Sequence, residues 1–118
     1  MDLKDLSGFI ETEDRRLIER YPCDNIDKEA YARAVKLVEE VGELFSEILK
    51  SSSLQRKEKS AELNLPDEFA DVLITTLLLA KRMNIDISGA LNRKIEKINQ
   101  RYEKSEGDLK KPLPEKAQ

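Results

Sequence analysis

Two acidic pairs with a spacing of three residues are the part of this chain best equipped for chemistry: Glu40 and Glu43 in KLVEEVGELFSEI, and Glu68 and Asp71 in LPDEFADVLITTLLLA. On an α-helix that spacing sets both side chains of a pair on one face, so each pair presents two carboxylates in one direction. Four carboxylates converging from two helices make an all-oxygen cage for a hard divalent cation. Mg²⁺ is the expected occupant, with Mn²⁺ as a substitute, because both favour oxygen donors in octahedral geometry and leave waters to exchange for substrate. Di-iron carboxylate bundles use a Glu-x-x-His pattern, and this chain contains no histidine.

In a chain that is 38% charged, most acidic pairs decorate a solvated helix face. The second pair departs from that pattern because of its surroundings. At about 100° per residue, Glu68, Asp71, Thr75 and Arg82 fall in one narrow polar stripe, and Phe69, Ala70, Leu73, Ile74, Leu77, Ala80 and Met83 occupy the remaining circumference. A helix so nearly apolar belongs in the middle of a bundle or at a subunit interface, where uncompensated carboxylates would cost several kcal/mol or take up protons. Some cation should therefore face them, and Arg82 lies too far along the helix to serve both. If the second and third helices pack antiparallel, Glu40 is the member of its pair nearest the seam. Arg33, Lys36 and Arg82 leave a purely structural ion-pair network open as the other arrangement.

Composition narrows the remaining options. With 118 residues the chain forms one domain, and with four glycines and four prolines it favours long helices over a β-rich fold. A net charge of -3 without a basic stripe argues against polymeric nucleic acid as a ligand. The absence of histidine removes Ser-His, Cys-His and His-ligated metal chemistry. The lone Cys23 cannot form an internal disulfide, the amino terminus lacks the apolar core of a secretion signal, and no apolar run approaches the roughly 20 residues of a membrane span. A cytoplasmic protein with no membrane association is expected.

Four helices should position the acidic pairs. The first spans residues 2 to 20, with Leu3, Leu6, Phe9, Ile10, Leu17 and Ile18 at helical spacing, Ser7-Gly8 interrupting the pattern near its start and Tyr21-Pro22 ending it. Asn25 or Asp27 caps the second, which runs to about residue 50 and carries Ala30, Ala34, Leu37, Val38, Val41, Leu44, Phe45 and Ile48 as its apolar stripe. Gly42 at the edge of that stripe leaves room for a neighbouring helix. Residues 51 to 64 read as a polar loop with one short helical stretch. Pro66 suits the first position of a third helix reaching about Met83, and Asp86 or Ser88 caps a fourth whose buried face is Leu91, Ile95, Ile98 and Tyr102. One all-α domain over residues 1–103 and a disordered charged tail over 104–118 are expected.

The run EEVGE at 39–43, followed by EFAD at 68–71, resembles the EExxE and ExxD motifs of the MazG-like all-α nucleoside triphosphate pyrophosphohydrolases. The resemblance spans about residues 25 to 103 and extends to KLVEEVGEL, DVL and the basic helix ALNRKIEKINQRY. It implies a four-helix bundle completed by oligomerisation, as a homodimer or homotetramer. It implies further that Glu40, Glu43, Glu68 and Asp71 bind Mg²⁺, that Glu39 supports the site or helps to activate water, and that Lys94, Lys97, Asn99 and Arg101 contact the phosphates of a nucleoside triphosphate. Hydrolysis to a nucleoside monophosphate and pyrophosphate is the implied reaction, with the first helix or the tail available to a neighbouring subunit's site. Phe9, Tyr21 and Tyr31 could stack on a base, although as core aromatics they need no such role. The alternative reading is a noncatalytic helical protein-interaction module on the same fold.

Overall fold

A computed structural model describes residues 1–52 and 64–104 as four helices: α1 (Leu3–Arg20), α2 (Ile26–Ser51), α3 (Leu65–Arg82) and α4 (Ile87–Lys104), with no strand among the described residues. Most of the loop expected over 51–64, and the tail beyond Lys104, lie outside them. Local chemistry sets the helix boundaries. Asp2 and Asp5 form a reciprocal capping box, the Asp5 amide donating to Asp2 at 2.8 Å and the Asp2 amide to Asp5 at 3.1 Å. That cap carries α1 unbroken through Ser7-Gly8. Asn25 caps α2 by accepting from the Asp27 and Lys28 amides.

Pro66 takes the second rather than the first position of α3, behind Leu65; either place lies where the helix has no use for an amide hydrogen. At the other end Asn84 adopts a left-handed φ of 58°. The Ile85 amide thereby reaches the Ala80 carbonyl at 2.9 Å and the Asn84 amide reaches Lys81 at 3.1 Å, a pairing that stops the helix with its last carbonyls satisfied.

The chain divides into two compact units, Met1–Ile85 and Asp86–Gln118. In the first, α3 packs against α2 and against α1. The α2–α3 pair is antiparallel, for the Asn64 amide at the start of α3 donates to Glu47 late in α2, and Arg82 at its end donates to Glu29 early in α2. Arg33 joins all three helices: from α2 it donates to Asp14 of α1 at 2.7 Å and to the Leu78 carbonyl of α3 at 2.8 Å.

The interior is small and strongly polar. Ile10, Leu44 and Leu78 are its buried apolar residues, beside buried Asp14, Arg33, Glu40 and Thr75. Several residues assigned to a core by their spacing are exposed instead: Leu3, Phe9, Val38 and Phe45 in the first unit, and the whole Leu91, Ile95, Ile98 and Tyr102 face of α4. Periodicity identifies the face that needs a partner, and these faces are left exposed among the described residues. Phe9, Tyr21 and Tyr31 are likewise exposed rather than core aromatics. A Cβ placed on Gly42 would meet nothing within 4 Å, so the close approach expected there is not made among the described residues.

Candidate metal centre between α2 and α3

The antiparallel pairing turns the polar stripe of α3 toward α2. Glu40, Glu68 and Asp71 each offer one carboxylate oxygen to a group whose oxygens all lie within 4.8 Å of one another. Glu40 is buried, Glu68 half-buried and Asp71 exposed, so the cluster opens from a closed floor toward solvent. Glu43 is exposed and is not a member of this closest group, although its charge is near enough to act on Glu68. Glu39 is also exposed, about 100° around α2 from Glu40 and on the same side of the helix as Glu43.

Glu68 carries the electrostatic tension of the site. Its Oε1 is buried and has no hydrogen-bond partner among the described residues. Burial pushes its pKa up, and repulsion from Glu43, Asp71, Glu40 and Glu47 adds to the shift. Glu40 by contrast has a counter-ion: Lys36, one turn earlier on α2, places its Nζ 3.1 Å from Glu40 Oε2 and 3.7 Å from Glu39 Oε1. The hydrogen bond to Glu40 and the charge of that carboxylate raise the Lys36 pKa against the opposing effect of desolvation.

The other cations that could have neutralised the cluster are committed elsewhere. Arg33 is engaged by Asp14 and the Leu78 carbonyl, and Arg82 pairs with Glu29 at 3.0 Å. Thr75, in the same stripe, donates its hydroxyl back to the Asp71 carbonyl at 2.6 Å rather than to a carboxylate. An ion-pair network does exist, then, but its arginines hold the helices together and leave Glu68 unanswered. An all-oxygen donor set with an orphaned buried carboxylate oxygen fits a hard divalent cation.

Glu47 belongs to these surroundings and was missed by motif spacing. It stands seven residues after Glu40 on the same face of α2, where its Oε1 accepts from the Asn64 amide at 3.2 Å and its charge raises the Glu68 pKa. Two-turn periodicity from Glu40 was the signal that could have found it.

The expected phosphate contacts lie on α4, in the second unit. The Asp86 carboxylate caps that helix by accepting from the Gly89 amide at 3.1 Å. Lys94, Lys97 and Arg101 fall within about 60° of one another around α4, whereas Asn99 projects from the opposite side. All four are exposed. The three basic residues can thus form one grip that Asn99 cannot join.

Comparison with known proteins adds a family and no individual relative. Residues 28–105 match the MazG nucleotide pyrophosphohydrolase domain, covering both acidic motifs and α4. Neither the curated proteins nor the solved structures contain a significant match. No helix among the described residues is long and apolar enough to cross a membrane.

Proposed function

The chain belongs to the MazG nucleotide pyrophosphohydrolase family, and from that premise we propose that it hydrolyses nucleoside triphosphates to a monophosphate and pyrophosphate with the help of Mg²⁺. The observation that carries this reading is the buried Glu68 oxygen, partnerless in a cluster with Glu40 and Asp71. A metal-binding carboxylate site gives a physical reason for keeping such an oxygen in a bundle whose arginines are spent elsewhere.

In this reading Glu40, Glu68 and Asp71 hold the cation, and Glu43, three residues after Glu40 on the same helix, adds a fourth carboxylate. Mg²⁺ is the expected ion and Mn²⁺ its substitute. When bound, the ion supplies the positive charge that lets a triphosphate approach four carboxylates, and it acidifies water. Glu40, fixed by its burial, keeps its place as the cation displaces Lys36 from it. Glu39 takes the proton of the attacking water, whose oxygen bonds to the α-phosphorus as the bond to the bridging oxygen of the leaving pyrophosphate breaks. Lys94, Lys97 and Arg101 stabilise the charge that accumulates on that leaving group. Asn99, on the other side of α4, serves a different part of the substrate.

Release of pyrophosphate from a panel of deoxynucleoside and ribonucleoside triphosphates, with and without Mg²⁺, tests the proposal. Turnover that needs the metal and disappears in Glu68→Gln and Asp71→Asn is the expected result. A stably folded protein that turns over no nucleotide in the presence of metal would favour the noncatalytic interaction module instead.

A further inference from the structure

The polar contacts between α2 and α3 share one register. From the bond between Glu47 and the Asn64 amide, four residues back along α2 and four forward along α3 set Glu43 opposite Glu68, and three more set Glu40 opposite Asp71. The same count continues to Arg33, which donates to the Leu78 carbonyl at 2.8 Å, and then to Glu29, which accepts from Arg82 at 3.0 Å. Steps of four and three keep one stripe of each helix on the seam, and equal steps keep the two antiparallel rises matched. Contacts toward the ends of this seam attract, whereas the two in its middle set acid against acid. Like charges push the helices apart there, so the outer contacts hold the carboxylates opposed. Glu47 is the outer contact nearest the acids, one turn from Glu43 and Glu68; Arg33 stands two turns from Glu40.

We propose that Glu47 is a positioning residue for the metal site: by fixing the first turn of α3 against α2, its carboxylate keeps Glu68 and Asp71 facing Glu43 and Glu40. This role rests on the metal reading above. Asn64, the N-cap of α3, makes no side-chain hydrogen bond to the turn it opens. Its amide instead donates across the seam to Glu47 Oε1 at 3.2 Å. The Asn64 carbonyl accepts from the Glu68 amide at 2.9 Å, so the residue that Glu47 grips is the one on which the Glu68 turn closes. An anionic acceptor at the start of a helix also complements the dipole there.

Glu47 is not a ligand in this arrangement. Its Oε2 meets Lys50 Nζ at 3.4 Å and its Oε1 is taken by the Asn64 amide. It stands outside the group formed by Glu40, Glu68 and Asp71. Its charge opposes ionisation of Glu68, so what the site gains from Glu47 is placement.

Reach and charge at this position separate placement from electrostatics. Glu47→Gln keeps an acceptor oxygen at the same reach without the charge, and Glu47→Asp keeps the charge one methylene short. Calorimetric titration of the full chain with Mn²⁺ should give Glu47→Gln an affinity within about twofold of wild type, and Glu47→Asp and Glu47→Ala affinities roughly fivefold weaker or more, the effect of one lost hydrogen bond. In the metal-free chain, amide hydrogen exchange at Glu68 should quicken several-fold in the two weakened variants and stay near wild type in Glu47→Gln, with the Ile85 amide beyond the other end of α3 unmoved. Should Glu47→Ala fail to fold by circular dichroism, the other two variants decide. The reverse order, with Glu47→Asp binding like wild type and Glu47→Gln losing as much as Glu47→Ala, would make Glu47 an electrostatic or ligating group and overturn the placement. Unchanged exchange at Glu68, or uniform acceleration along α3, would overturn it as well. A wild type that binds no Mn²⁺ refutes the metal reading itself, and with it the service proposed for Glu47.

Discussion

Among the described residues, Lys36 and Glu40 form the one ion pair that reaches into the carboxylate cluster, Nζ to Oε2 at 3.1 Å across a single turn of α2. Glu68, on the facing helix, has a buried oxygen with no counterpart of this kind among the described residues. The site is therefore half-neutralised by its own chain. That asymmetry has consequences for stability, metal affinity and pH response.

The pH response of the metal-free protein follows from Glu68, whose folded pKa is raised by burial and then by its acidic neighbours. A carboxylate that holds its proton more tightly when folded contributes stability that is complete below its unfolded pKa and is lost as pH rises through the raised folded value. Urea denaturation in chelator should register that loss between acid and neutral pH. Glu68→Gln should abolish this part of the pH dependence and be the more stable protein at neutral pH. Saturating Mg²⁺ should reverse the order by stabilising the wild type preferentially. A variant less stable than wild type in chelator at neutral pH would contradict the assignment.

Lys36 competes with an incoming cation for Glu40. Its replacement in Lys36→Met should tighten divalent-ion binding by about two- to fivefold, the effect of a part-exposed ion pair. Calorimetric titration with Mn²⁺ measures this directly. Weaker binding in the variant would show that the ammonium holds Glu40 in place more than it blocks it.

The buried pair of Arg33 and Asp14 joins α1 and α2 while Arg33 also holds the Leu78 carbonyl of α3. Arg33→Met leaves a buried carboxylate and a carbonyl without their donor, and should cost about 3–5 kcal/mol in equilibrium unfolding. Restoring balance with the second substitution Asp14→Leu should recover a large share of that loss. A cost below about 1 kcal/mol for the single variant would mean that water reaches the pair.

On α4 the shared face of Lys94, Lys97 and Arg101 separates these residues from Asn99. Removing any one of the three charges should lower kcat/KM for a triphosphate by about tenfold, as loss of one charge-assisted contact implies. Asn99→Ala should have a smaller effect, carried in KM and dependent on the base or sugar. Equal losses at all four positions would argue against a single grip.

The helices and the acidic cluster were legible in the sequence because short-range chemistry determines them. Asn25 and Asp86 cap their helices through side chains only a few residues away, and the three-residue spacing brings Glu68 and Asp71 to one face. The depth at which each acid sits was not legible. Glu40 is buried and Glu43 exposed because α3 covers one side of α2, a fact of packing rather than spacing. The same holds for Leu91, Ile95, Ile98 and Tyr102, whose period marks a face to be covered but which are exposed among the described residues. Glu47 went unnoticed because it lies two turns from Glu40, beyond the reach of a motif defined by single turns.

In the proposed site one divalent ion is shared by α2 and α3. Anomalous diffraction from a crystal soaked in Mn²⁺ tests it most directly. A peak is expected at metal–oxygen distances near 2.1 Å from Glu40, Glu68 and Asp71 together. The contrary result is a soaked crystal in which these carboxylates lie apart with no peak between them.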